Sequence, residues 1–89
     1  MGGETPKYST EKTIYGSSSH ASKSFYDYSI TFDDLNEVIA ISNFVNPYSD
    51  AVALYSFTVN GNTVTFRMNN VTSHALSSIY YFNVTAVGY

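Results

Sequence analysis

The chain has no cysteine and no tryptophan among its 89 residues, only two prolines, and few charges. Without cysteine it has no disulfide staples, no thiolate zinc ligands and no thiol nucleophile. Charged residues make up 12% of the chain, about half the usual quarter, and four basic against seven acidic side chains leave a net charge of -3. A nucleic-acid binder needs a basic surface, and Lys7, Lys12, Lys23 and Arg67 are too few to build one. No apolar run approaches the roughly 18 residues of a membrane span. The N-terminal stretch shows no apolar core of a signal peptide, and Pro6 stands where a myristoylation site wants Ser or Thr. A length of 89 residues leaves room for one hydrophobic core, so a single domain is expected, stabilised by packing and by oligomerisation.

What the chain has instead is aromatic rings and neutral polar groups. Nine Tyr and six Phe stand beside 13 Ser, 9 Thr and 8 Asn, so polarity is carried by hydroxyls and amides. Val, Ile, Thr, Tyr and Phe total 37 residues against 18 for Ala, Leu, Glu, Lys, Gln, Arg and Met, a bias toward strands.

Residues 1–13 are polar and include Gly2, Gly3 and Pro6, which reads as a flexible lead-in to a domain spanning residues 14–89. A brief first strand is expected around Lys12 to Gly16. From Ala21 to Phe32 the residues Tyr26, Tyr28, Ile30 and Phe32 alternate with Asp27, Ser29 and Thr31, the period of a half-buried strand. Val38 to Val45 is apolar on both faces and is expected as a central strand. Asn46-Pro47-Tyr48-Ser49-Asp50 reads as a loop. Asn60-Gly61 marks a hairpin. A turn centred on these two residues pairs Phe57 with Val64 and Tyr55 with Phe66. A turn at Gly61-Asn62 shifts the partners by two and keeps the same faces. An odd loop would set apolar against polar side chains, so an even loop is favoured. A second loop, Asn70 to Ser77, leads to the last strand, Ser78 to Gly88. There Tyr80, Phe82, Val84 and Ala86 share one face and Ile79, Tyr81, Asn83, Thr85 and Val87 the other. That second face is too apolar for bulk water, so it packs inside or meets a subunit. Six short strands without helical periodicity predict an all-β, six-stranded antiparallel β-sandwich.

Catalytic and metal chemistry find little here. His20 and His74 are the only candidate bases of a hydrolase, no Gly-x-Ser-x-Gly elbow occurs, and 13 serines bring some near a histidine by chance. Asp33-Asp34-Leu35-Asn36-Glu37 lacks the spacing and glycine of a calcium loop, and two histidines 54 positions apart make no zinc motif within one chain. No cofactor and no metal are expected. Asn70-Val71-Thr72 and Asn83-Val84-Thr85 match the N-glycosylation pattern, which a chain this rich in Asn and Thr produces by accident. What remains is a binding surface of aromatics, amides and hydroxyls, a composition that suits neutral sugars and recognition loops in general. Most rings are needed for the core, which leaves the loop aromatics, chiefly Tyr48, for a ligand.

Strand direction says which loops belong together. Alternate connections of an antiparallel sandwich lie at the same end. The segment Ser17 to His20, the loop Asn46 to Asp50 and the loop Asn70 to Ser77 are therefore expected at one tip, where His20, Asn46, Tyr48, Asp50, Asn70 and His74 are the candidate ligand-binding residues. The polar lead-in is expected to approach from the other end.

From about residue 25 onward the chain resembles the C-terminal modules of bacteriophage tail fibres and receptor-binding proteins, and the related H-type lectin β-sandwich. The matching stretches are Tyr28-Ser29-Ile30-Thr31-Phe32, Glu37-Val38-Ile39-Ala40-Ile41-Ser42, Thr63-Val64-Thr65-Phe66-Arg67-Met68-Asn69-Asn70 and the closing Tyr81-Phe82-Asn83-Val84-Thr85-Ala86-Val87-Gly88-Tyr89. An aromatic, an alternating strand and Ala-x-Gly at the C-terminus are the most specific part. Two features depart from the pattern. Asn36-Glu37 stands where a proline commonly precedes the third strand, and Tyr81 or Phe82 stands where Trp is frequent. The resemblance implies a virion-tail or extracellular protein, assembled as a homotrimer, that attaches to cell-surface glycans or another host receptor and acts on neither nucleic acid nor membrane. Within it, Ile79, Tyr81 and Val87 would form the subunit interface, and a structural virion component such as a fibre cap or baseplate decoration is the alternative role.

Overall fold

A computed structural model describes residues 5–15, 20–76 and 80–89. The strands are β1 (Lys7–Tyr15), β2 (Phe25–Thr31), β3 (Val38–Val45), β4 (Val52–Asn60), β5 (Thr63–Asn70) and β6 (Tyr80–Gly88). They form two three-stranded antiparallel sheets packed face to face. Sheet I has the order β1-β6-β3 and sheet II the order β2-β5-β4, so β6 and β5 are the central strands. The all-β, six-stranded antiparallel sandwich expected from the strand pattern is the observed fold.

The core follows from the alternation of the two central strands. Phe82, Val84 and Ala86 of β6 meet Val64, Phe66 and Met68 of β5, all buried. Ile30, Phe32, Leu35, Val38, Val52, Leu76 and Tyr15 close the same cluster. Phe66 stacks at a tilt or edge-on with Phe44, Phe57 and Phe82, at ring-centroid separations of 5.6 to 5.8 Å. Burying one such ring contributes about 1.5–3 kcal/mol, which is how a domain without disulfides holds together.

The hairpin uses the later of the two even registers. Asn60 pairs with Thr63 and Phe57 with Phe66, so Gly61 and Asn62 form the turn. Gly61 has φ of +62°, the left-handed value that a II′ hairpin requires at its first central position. The register then slips between Leu54 and Ser56, and Tyr55 becomes the extra residue of a β-bulge. This corrects the expectation that Tyr55 shares the packed face of Phe57 and Phe66. Its ring is 66% exposed and lies against Phe25 on the outside of sheet II. Phe57 keeps its inward register, but as part of an edge strand it stays 43% exposed.

Two more expectations change. β3 is an edge strand and not a central one. Its continuous apolar run comes from register shifts at Ile39 and Ser42, which break the alternation and leave Ile39 and Val45 exposed. β1 begins at Lys7 and pairs with β6 from Lys7↔Gly88 to Tyr15↔Tyr80, so the sheet reaches into the segment read as a lead-in. The reason is an inverted pattern. Ser9, Glu11, Thr13 and Tyr15 face the core side, opposite Ala86, Val84, Phe82 and Tyr80, whereas Tyr8 and Ile14 face outward. An edge strand with polar residues pointing inward does not read as a strand from hydrophobicity alone.

Candidate binding site at the loop end

Three connections meet where β1 and β3 end and β2, β4 and β6 begin. Asn70, at the end of β5, ties two of them together and is fully buried. Its side-chain amide donates to the carbonyls of His20, Ala21 and His74 at 3.0, 3.1 and 3.1 Å. Its side-chain oxygen accepts the Thr72 N–H at 2.9 Å. Around it the 20–24 segment is stitched to the 70–76 loop. His20 and Leu76 exchange backbone hydrogen bonds, Lys23 N–H donates to the Asn70 carbonyl, and the Ser22 hydroxyl and Lys23 ammonium donate to the carbonyls of Thr72 and Val71. Lys23 takes a left-handed φ of 60°, unusual for a residue with a side chain.

The third connection, 46–51, joins through Val71 N–H to the Ala51 carbonyl at 3.0 Å. Within it the Asn46 amide donates to the Val52 carbonyl at 2.7 Å and its oxygen accepts the Tyr48 N–H at 3.1 Å, an Asx turn that sets the loop. The Tyr48 carbonyl accepts from both Ala51 and Val52. The Tyr48 ring packs edge-on against Tyr80 and Tyr81, at 5.0 and 5.4 Å.

Below the loops lies an aromatic box. His20 is buried, with its ring 4.7 Å from Tyr15 and 4.1 Å from Tyr26. Its Nε2 is 2.5 Å from the Tyr28 hydroxyl, and the Tyr26 hydroxyl accepts the Ala21 N–H at 2.7 Å. Among the described residues the Tyr15 hydroxyl is buried without a partner, and desolvation, reinforced by Tyr28 and Tyr26, pushes its pKa up to about 12.

All six candidate residues therefore sit at one end, in two groups. His20, Asn46 and Asn70 have their polar atoms engaged in building the loops. Asp50 and His74 are exposed and Tyr48 is half-buried, so these three can meet a ligand. Lys23, Ser49 and Ser73 are exposed beside them. Composition could not single these out, because their role depends on loop contacts between residues distant in sequence. Residues 17–19 and Ile79 lie outside the described residues. Asn70 of the first glycosylation pattern is inaccessible in the folded chain, and Asn83 of the second lies half-buried within β6. Among the described residues no three His, Asp or Glu side chains converge to hold a metal.

Fold and site together define a small all-β sandwich with one internally bonded loop end. No protein-family model matches the chain, and no curated protein or solved structure is detectably similar to it.

Proposed function

We propose that the chain is a non-enzymatic receptor- or carbohydrate-binding module of a phage or prophage tail protein, serving host adhesion from the virion tail or in the extracellular space. The observation that carries this reading is the loop end. Asn70 and the backbone bonds around it fix three connections from both sheets, so Tyr48, Asp50 and His74 are offered on a frame that loses little entropy on binding. β1 starts at the opposite end, beside Gly88, so the described N-terminal strand enters the sheet away from this tip. His20, the more buried of the two possible bases, packs in an aromatic box and pairs with a tyrosine hydroxyl, which supports a structural role for it.

A homotrimer is part of the proposal, with the outer face of sheet I as its interface. That face carries Tyr8 and Ile14, 69% and 48% exposed, with Val45, Tyr81 and Val87. An outward face more apolar than the inward face of the same strand is what subunit contact would require. It also favours the second reading, a structural virion component without its own receptor binding. Binding of the fluorescently labelled protein to a panel of bacterial strains and to a glycan array tests the choice. Retention on cells or glycans supports adhesion. Association with other tail proteins but with neither cells nor glycans supports the structural role.

A further inference from the structure

We infer that the outer face of sheet II carries a second site, for a single uncharged sugar ring with adjacent hydroxyls. The inference deepens the carbohydrate-binding reading and rests on it, but it uses none of the loop-end residues.

The face is built as cross-strand rows. Thr31, Thr63 and Asn60 form one row and Ser29, Thr65 and Thr58 the next, with hydroxyl pairs Thr31–Thr63 at 2.9 Å and Ser29–Thr65 at 2.8 Å. The third row is Asp27, Arg67 and Ser56, where the guanidinium grips the carboxylate with Nε at 2.9 Å and Nη2 at 3.1 Å. Beyond it the β4 bulge turns Tyr55 outward, on the same side as Ser56, where its ring meets Phe25 at 4.7 Å. A depression of about 210 Å³ opens between Asp27, Ser56, Phe57, Thr58, Thr65 and Arg67.

Each part has a use in holding a sugar. Arg67 has five N–H donors and spends two on Asp27, and both carboxylate oxygens keep acceptor capacity. Two adjacent hydroxyls can therefore donate to Asp27 and accept from Arg67. Hydrogen bonds from Arg67 hold the Asp27 carboxyl below its ordinary pKa, so the acceptor stays ionised. The pair is neutral as a unit and offers no net charge to attract a carboxylated or phosphorylated ligand, which favours an uncharged one. Tyr55 with Phe25 supplies an exposed aromatic surface for the C–H face of a ring. The volume is below the roughly 300–1,000 Å³ of pockets for drug-sized molecules, which fits one ring and not an extended chain. As a half-exposed ion pair, Asp27–Arg67 contributes little to folding, and the bulge that exposes Tyr55 removes a ring from the core side, so neither is a stability device.

The test is a two-dimensional amide NMR titration of the whole chain with the methyl glycosides of glucose, galactose, mannose and N-acetylglucosamine. The inference predicts that at least one sugar shifts amides around residues 27, 55–58 and 65–67. It also predicts that Asp27→Asn and Tyr55→Ala, both surface changes, weaken that binding about tenfold or more while the rest of the spectrum stays folded. Shifts confined to the loop end, around Tyr48, Asp50 and His74, would overturn this site and leave the carbohydrate reading standing. No shift with any of the four sugars would also overturn the site, while binding to cells would still decide the adhesion reading separately.

Discussion

The buried amide of Asn70 donates a 3.0 Å hydrogen bond to the carbonyl of His20, across 50 residues of sequence. The same nitrogen reaches Ala21 and His74, so one side chain satisfies carbonyls from two loops. In Asn70→Asp a carboxylate would face those carbonyls with no proton to offer, and in Asn70→Ala they would be left unpaired. Either change should cost about 3 kcal/mol, seen as a loss of well over 10 °C in melting temperature at about 4–8 °C per kcal/mol. A shift of a degree or two would mean that the loop end is held by other contacts.

Gly88 makes a close approach of a different kind. A Cβ at this position would overlap the backbone carbonyl of Glu37, and neighbouring Tyr89 N–H bonds that same oxygen at 2.9 Å. Backbone cannot yield as a flexible side chain can, so Gly88→Ala should destabilise by about 2 kcal/mol or more in urea unfolding. An unchanged midpoint would show that the two strand ends separate easily.

Tyr15 gives a pH dependence of defined sign. Its hydroxyl is buried without a described partner, and its pKa in the fold is raised from 10.0 to about 12. A raised value means that the neutral phenol is the form the fold favours. Its contribution is fully present below pH 10 and is lost as pH climbs toward 12. Tyr15→Phe should therefore be neutral or stabilising by about 1 kcal/mol near pH 7, and should lessen the fall in stability between pH 10 and 12. Thermal melts of both proteins across that window check it, and equal alkaline losses would exclude Tyr15 as the cause.

The outward face of β1 and β6 yields the test of assembly. Ile14 pairs with Tyr81 and Tyr8 with Val87, all on the outside of sheet I. Ile14→Glu should convert a trimer to monomer in light scattering without lowering the monomer's intrinsic fold, because Ile14 is half exposed. A wild-type chain that is already monomeric at micromolar concentration would contradict the trimer.

Much of this architecture was legible in the residues. The alternation of β2 and β6, the Asn60-Gly61 signal and the rule of alternate connections were enough for the sandwich, the even hairpin loop and the gathering of His20, Asn46, Tyr48, Asp50, Asn70 and His74 at one end. Bulges were not legible. Nothing about Leu54-Tyr55-Ser56 or Ile39 marks an extra residue, because neither place carries a glycine or proline, and each slip reverses which residues face inward. β1 was underestimated for a related reason, its polar residues facing the core and its apolar ones facing out. The division of the loop end into builders and presenters was equally hidden, since it depends on contacts between loops distant in sequence, as that of Asn70 with His20.

The most direct measurement is binding of the folded protein to bacterial cells or arrayed glycans, compared between wild type, a loop-end Asp50→Ala/His74→Ala double variant and an opposite-end Asp33→Ala/Asp34→Ala double variant. All four positions are exposed, so melting temperatures should match within a few degrees. Adhesion through the loop end predicts that the first variant loses at least about tenfold in binding and the second keeps it. Equal binding by all three proteins, or loss only at the Asp33–Asp34 end, would contradict it.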